Sequence, residues 1–123
     1  MEMQKRNLKA ILLLTLISVL TLTSCEKLDV PDETPRCIKR KIRKLKSDQI
    51  RNPPAKVIEW NYNGEKYYYI PSYCCDAYSE LYDKKCNLIC HPDGGFSGAG
   101  DGTCPDFTNG TLTTKIIWED DRK

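Results

Sequence analysis

The cysteines constrain this chain more than any other feature of its sequence. The chain has 123 residues and seven cysteines, of which only one, Cys25, precedes residue 37. A small exported domain with an even number of cysteines typically joins them in disulfides, because its core alone stabilises it too little. We therefore expect three bridges, with their pairing open, among the remaining six: Cys37, Cys74, Cys75, Cys86, Cys90 and Cys104.

Export itself is predicted from the segment that ends at Cys25. Basic residues near the start precede an apolar stretch at 10–22, which is thirteen residues long and too short to span a membrane. The box Leu22-Thr23-Ser24-Cys25 follows and is typical of a lipoprotein signal cut before the cysteine. We expect residues 1–24 to be removed as a signal peptide, and Cys25 to carry acyl chains such as palmitate.

The predicted localisation is therefore the cell envelope, with the protein held by membrane lipid through Cys25, in the outer membrane and on either its periplasmic or its surface side. The chain has 19 basic and 17 acidic residues, and residues 1–24 hold three of the basic and one of the acidic ones. Sixteen of each remain in the mature chain, so its net charge gives no argument for a nucleic-acid partner, and none is expected.

The mature chain is predicted to divide into an acidic tether beside the lipid, residues 25–35, and one disulfide-stapled globular domain, residues 36–123. Thr34 and Pro35 resemble a helix start, with the threonine hydroxyl as the cap. Apolar residues at i, i+4 and i+7 then predict an amphipathic helix up to Ser47 with a highly basic outer face. They are Ile38, Ile42 and Leu45.

A tyrosine-rich hairpin is predicted next. Asn63-Gly64 separates two strand-like runs and is the pair that a type I′ turn favours. This turn places Trp60 opposite Tyr67 and Ile58 opposite Tyr69. With one or two further short strands, including one near residues 111–118, the expected fold class is a small, disulfide-rich α+β domain.

A glycine-rich segment follows the hairpin, and glycine and aspartate dominate it. Five glycines in nine positions exclude a helix and predict a shaped loop with several positive φ angles, closed by cysteines. Such a loop can cradle an anion or hold calcium through Asp93, Asp101 and Asp106, although no complete calcium or phosphate motif is present. The candidate ligand loop comprises Asp93, Gly94, Gly95, Gly98, Gly100, Asp101, Gly102 and Asp106.

Metal and catalytic sites have less support in the sequence. The cysteines show no Cys-x2-Cys pair, and an oxidising compartment favours bridges over zinc thiolates. His91 is the only histidine, and no nucleophile and base can be recognised around it. We therefore expect no catalytic residue, no enzyme activity and no cofactor, with calcium as the alternative.

A set of motifs in the mature domain carries a family resemblance. They are Tyr73-Cys74-Cys75-Asp76, Leu81-Tyr82-Asp83, Cys90-x-Pro92-Asp93-Gly94-Gly95-Phe96-Ser97-Gly98-x-Gly100-Asp101-Gly102-x-Cys104-Pro105-Asp106-Phe107 and Trp118-x-Asp120-x-Arg122. Together they resemble a domain of unknown function found in small lipoproteins of Bacteroidetes-type bacteria. The resemblance covers residues 37–122, nearly all of the mature domain, and implies no activity, cofactor or catalytic residue.

A shorter stretch, Cys75-x6-Tyr82-x3-Cys86-x3-Cys90 after Pro71, is similar to the centre of Kazal-type protease inhibitors. That resemblance implies a rigid loop that enters a protease cleft, although the inhibitors' reactive-loop cysteine has no counterpart near residues 67–69.

The sequence thus predicts a membrane-anchored, non-catalytic binding or structural module with an envelope protein or glycan as its partner. A Kazal-like inhibitor and a calcium-binding module are the alternatives.

Overall fold

The computed structural model describes residues 3–7 and 27–123. Cys25 and most of the predicted signal peptide lie outside the described residues, so cleavage and acylation stay predictions. Within residues 27–123 the chain forms one helix and five strands: α1 Arg36–Ser47, β1 Lys56–Tyr62, β2 Glu65–Ile70, β3 Glu80–Asp83, β4 Leu88–Cys90 and β5 Leu112–Glu119. Within residues 3–7 and 27–123, no helix is both long enough and apolar enough to cross a membrane.

The strands form one antiparallel sheet in the order β4-β3-β2-β1-β5. This confirms the small, disulfide-rich α+β class. Three strands accompany the hairpin, where the sequence predicted one or two. The sequence signal for β3 and β4 is weak because these strands have only four and three residues, too few to show an alternation of apolar and polar residues.

The hairpin has the register that its turn predicts. Trp60 lies opposite Tyr67 and Ile58 opposite Tyr69, as expected. Asn63 adopts a φ of 51° and Gly64 one of 88°, the left-handed pair that a type I′ turn requires. This register separates the two faces of the sheet, since alternate side chains point to opposite sides.

One face of the sheet packs against α1. Ile38 and Ile42 of the predicted stripe are fully buried, and Leu45 is nearly so. They meet Val57, Tyr68 and other residues of the sheet in a single apolar cluster. Each fully buried side chain of this size contributes about 1.5–3 kcal/mol to folding.

The start of α1 differs from the prediction. Pro35 is the N-cap and no side chain caps the helix, so the role assigned to the Thr34 hydroxyl is wrong. That hydroxyl is buried and has no hydrogen-bond partner among the described residues. The segment predicted as a tether also contributes to the domain, because Leu28 belongs to the core and Val30 packs against it. The folded part therefore begins before residue 36.

The C-terminal end of α1 is held by the Asp120 and Arg122 side chains. The Arg122 guanidinium donates hydrogen bonds to the backbone carbonyls of Leu45 and Asp48, each at 3.1 Å. Asp120, which is 5% exposed, accepts two further bonds from the same guanidinium. Since helix ends leave carbonyls unsatisfied, this pair fastens α1 to the segment that follows β5.

The opposite face of the sheet is aromatic and is covered by Phe107. The Phe107 ring makes edge contacts with Trp60 at 5.7 Å, Tyr62 at 5.2 Å and Tyr67 at 5.4 Å between centroids. Trp60 also stacks on Tyr69 at 5.1 Å. The hairpin aromatics therefore form a second packing layer, and the segment after β4 closes over it.

The described part of the chain contains two disulfides, which involve four of the six cysteines expected to be bridged. Cys37 pairs with Cys86 and ties α1 to the β3–β4 turn, while Cys90 pairs with Cys104 and closes the glycine-rich loop. Cys74 and Cys75 are exposed free thiols. The third bridge that the even cysteine count predicts is therefore absent from the described residues, because the other four cysteines of the domain already bond one another.

A candidate binding loop

The glycine-rich loop connects β4 to β5 and leaves the sheet as a defined structure. Its ends are joined by the Cys90–Cys104 bridge, whose Cα atoms are 5.1 Å apart. All five glycines between Gly94 and Gly102 adopt φ angles of +72° to +90°, which confirms the predicted positive φ values. These backbone angles favour glycine strongly over residues with a β-carbon.

The base of the loop is fixed by Asp93. Its backbone N–H donates to the Ser79 hydroxyl at 3.1 Å, and its carbonyl accepts from both the Ser79 N–H and the hydroxyl. Its carboxylate accepts a short hydrogen bond from the Tyr69 hydroxyl. Burial, followed by this bond to Asp93, raises the pKa of Tyr69 to about 12. Tyr69 therefore stays protonated at neutral pH and acts as a donor.

The loop has two arms, one that leaves β4 and one that returns toward Cys104, and Asp101 holds the returning arm in place. One carboxylate oxygen accepts from the His91 N–H at 3.0 Å, and the other accepts from the Thr103 N–H and hydroxyl at 2.9 and 2.8 Å. The Thr103 amide contributes most to lowering the pKa of Asp101. The Asp101 N–H in turn donates to the His91 carbonyl at 3.0 Å, so both arms are locked side by side.

The His91 side chain connects the glycine-rich loop to the segment that precedes β3. Its Nδ1 faces the Ser79 carbonyl within hydrogen-bond distance, and only a protonated nitrogen can bond a carbonyl oxygen. Its ring also packs on the Tyr78 ring at 5.1 Å between centroids. The single histidine thus holds two loops together.

Two glycines allow the loop to approach neighbouring backbone closely. A β-carbon at Gly94 would collide with the Ala77 carbonyl, and one at Gly100 would collide with the His91 carbonyl. At Gly98 and Gly102 the same atom would meet nothing within 4 Å. The first pair therefore serves packing, whereas the second pair serves only backbone conformation.

The tip of the loop presents Phe96 to solvent. Gly98 N–H donates to the Gly95 carbonyl at 3.1 Å and closes a turn with Phe96 and Ser97 at its centre. Phe96 is 98% exposed, the highest value among the exposed large hydrophobic residues of the described chain. Large aromatic side chains are seldom left so open, so an exposed one on a fixed loop indicates a contact surface.

The three aspartates predicted as calcium ligands each form hydrogen bonds with different partners. Asp93 bonds Tyr69, Asp101 bonds Thr103, and Asp106 accepts from Thr108 and Asn109. Across residues 3–7 and 27–123, no three His, Cys, Asp or Glu side chains are grouped so as to hold a metal ion. The carboxylates shape the loop, and a calcium response stays a prediction to be tested.

Sequence reasoning missed the residues that give the loop its surface and support. Phe96 is not among the predicted loop residues, yet its side chain faces solvent at the tip of the loop. The position of Phe96 between Gly95 and Gly98 could have predicted this exposure, because a turn flanked by glycines projects its central side chains outward. Nothing in the local sequence indicated that Tyr78 and Ser79, which precede β3, would carry the base of the loop.

Comparison with known proteins adds one match. Residues 43–120 match the model of a family described as Domain of unknown function (DUF6970). Neither the curated proteins nor the solved structures gave a match to the chain. The matched range contains β1 to β5 and the whole candidate loop.

Proposed function

Because the chain belongs to the DUF6970 family, whose description assigns no activity, we propose its function from the surface that the fold presents. The protein is a lipid-anchored envelope lipoprotein of the kind found in Bacteroidetes-type bacteria, acylated at Cys25. Its domain is a non-catalytic module that binds an envelope protein by inserting Phe96 into an apolar pocket of that partner.

The lipoprotein part rests on sequence and redox chemistry. The Leu22-Thr23-Ser24-Cys25 box supplies the anchor, and stable disulfides are typical of compartments outside the cytosol. Two bridges within a domain of about a hundred residues support such a compartment. The outer membrane is the proposed location.

The binding part rests on one observation, the 98% exposure of Phe96 at the tip of a loop that is fixed at its base. A bridge, the Asp93 contacts and the Asp101 contacts already order the loop, so little conformational entropy is lost when a partner binds. Preorganisation of this kind converts buried area into affinity more efficiently. A central aromatic anchor in a pocket is also the usual form of a binding hot spot.

The charge of the loop favours a protein partner over an anionic membrane. Residues 92–103 contain Asp93 and Asp101 but no lysine or arginine. Interfacial anchors typically combine aromatic side chains with basic ones that attract acidic headgroups, and this tip lacks the basic component. A pocket that is apolar in its centre and polar at its rim fits the exposed ring and its glycine surroundings.

The test begins with cells that carry a photoreactive phenylalanine analogue at position 96. Irradiation should give one defined cross-linked envelope protein, whereas the same analogue at Leu88, which is 47% exposed outside the loop, should not. With the purified partner, Phe96→Ala should weaken binding by about ten- to 150-fold, since burying such a side chain is worth about 1.5–3 kcal/mol.

Matched variants separate binding from folding. Phe96→Ala should melt like wild type, because the exposed ring supports no packing in the free protein, and Phe96→Leu should retain part of the affinity. Equal affinity of wild type and Phe96→Ala would refute the binding role of the loop. Partition of wild type but not Phe96→Ala into zwitterionic lipid vesicles would assign the tip to the membrane instead.

A further inference from the structure

Cys74 and Cys75 form a pair of adjacent thiols in the loop between β2 and β3. Both side chains are exposed, and both are free although the other four cysteines of the domain are bridged. A thiol–thiol hydrogen bond, in which Cys74 is the partner, is the largest cause of a raised pKa at Cys75. The neighbouring Cys74 thiol is therefore the main influence on the ionisation of Cys75.

The backbone around the pair is fixed on both sides. Before it, the Tyr73 ring packs beneath the Arg51 guanidinium, whose carbon lies 5.0 Å from the ring centroid. After it, the Ala77 N–H donates to the Cys74 carbonyl at 3.1 Å and closes a turn. Ala77 and Tyr78 also pack directly on the glycine-rich loop, where they leave no room for a β-carbon at Gly94. The two thiols thus sit on a short turn between two anchored segments.

The conformation of Cys75 is unusual for a cysteine. Its φ is 60°, in the left-handed region that residues with a β-carbon seldom adopt. Such outliers persist only where neighbouring structure enforces them, and they cluster at functional sites. An extended segment would point two successive side chains to opposite sides, and the left-handed φ of Cys75 departs from that arrangement.

We propose that Cys74 and Cys75 are a reversible redox pair that closes to a vicinal disulfide. The ring contains eight atoms, namely the two sulfurs, the two β-carbons, the two α-carbons and the connecting peptide C and N. The domain then has three bridges, and the third joins neighbours instead of separate segments.

The reaction is thiol–disulfide exchange with an external disulfide. One thiolate of the pair attacks a sulfur of the oxidant, forms a mixed disulfide and releases one thiolate of the oxidant. The second thiolate then attacks the sulfur of its neighbour and releases the second half of the oxidant. The pair loses two protons and two electrons, and the oxidant, reduced by those two electrons, takes up the protons as two thiols.

The disulfide formed by Cys74 and Cys75 should be easier to reduce than the two bridges that the structure contains. Cys90 is 2% exposed, and Cys37 packs against the helix-side core, whereas both Cys74 and Cys75 face solvent. Exposed and strained disulfides have more oxidising potentials and act as labile or regulatory bonds, while buried ones resist reduction. A ring of two neighbours also closes no chain loop, so its opening leaves the fold intact.

The test uses the folded exported domain in redox buffers of oxidised and reduced glutathione. Alkylation and peptide mass spectrometry should show Cys74 and Cys75 joined in the oxidising buffer and both alkylated after mild reduction, with the other four cysteines unlabelled throughout. A tagged trivalent arsenical, which needs two adjacent thiols, should retain the reduced protein and release it after oxidation.

Single variants provide the control. Cys74→Ser and Cys75→Ser should each stop at a glutathione adduct on the remaining cysteine and should lose retention by the arsenical. A wild-type protein that accumulates stable adducts on both cysteines, or that stays a dithiol in the oxidising buffer, would overturn the proposal. So would release of Cys37–Cys86 or Cys90–Cys104 under conditions milder than those that open the pair.

Discussion

Replacing Gly100 with alanine should destabilise the domain far more than the same change at Gly98. The two glycines lie in one loop and adopt almost identical φ angles, +73° and +74°. A residue with a β-carbon pays about 1–2 kcal/mol in this region, partly offset by the lower entropy of the unfolded chain. Gly98→Ala, with nothing within 4 Å of the new atom, should therefore cost about 1 kcal/mol.

Gly100→Ala carries an additional steric cost. The new β-carbon would overlap the His91 carbonyl and lie 2.7 Å from the Pro92 carbonyl carbon. Since these are backbone atoms, the two arms of the loop must separate and strain the bond between the Asp101 N–H and the His91 carbonyl. Loss of that bond and of its packing adds about 1–3 kcal/mol, for a total of about 2–4 kcal/mol.

Urea unfolding measures the difference directly. The two tryptophans, Trp60 and Trp118, report the transition by fluorescence, and the experiment is run without reductant so that both bridges stay closed. In thermal melts the midpoint should fall by about 4–8 °C for Gly98→Ala and by about two to four times as much for Gly100→Ala. Gly102→Ala, also at an open site, should match Gly98→Ala.

The comparison is decisive because the φ cost cancels between the variants. Equal losses of unfolding free energy at Gly98 and Gly100 would contradict the close packing of the two arms. A larger loss at Gly98 would show that the turn that carries Phe96, rather than the base, controls the stability of the loop.

Three further predictions follow from bonds and bridges. The raised pKa of Tyr69, about 12, means that its stabilising contribution is complete below about pH 10 and is lost between about pH 10 and 12, so Tyr69→Phe should flatten the decline of the melting temperature in that interval. Replacing both Cys37 and Cys86 with alanine should cost about 4 kcal/mol, and replacing Cys90 and Cys104 about 3 kcal/mol, because the bridges span 49 and 14 residues; the reverse order in urea unfolding would contradict the loop-entropy argument. An alkyne fatty acid should label wild-type cells but not Cys25→Ala, and a label that persists in the variant would exclude acylation at this residue.

The helix and the hairpin could be predicted because each depends on local sequence. Three apolar residues at helical spacing identified the buried stripe of α1, and Asn63-Gly64 set the register of β1 against β2. Strands β3 and β4 are held mainly by their neighbours, so their short sequences carried a weak signal.

The pairing of the disulfides and the surface of the loop could not be predicted from local sequence. An even cysteine count indicated disulfides, but six cysteines allow fifteen pairings, and only the folded chain brings Cys37 to Cys86. The glycines predicted a shaped loop, while the exposure of Phe96 depends on how Asp93 and Asp101 fix its base. Those contacts join residues ten or more positions apart, beyond the range of a motif.

The place of β1 in the sheet sets an order for folding as the chain is synthesised. β1 pairs on one edge with β2, which follows after two residues, and on its other edge with β5, which is separated from it by about fifty residues of chain. A chain that emerges from its N-terminus can form the hairpin early, but it leaves that second edge open until residues 112–119 appear. An unpaired edge of Trp60 and its neighbours attracts other strands, so a nascent molecule of this protein should depend on chaperones until β5 joins.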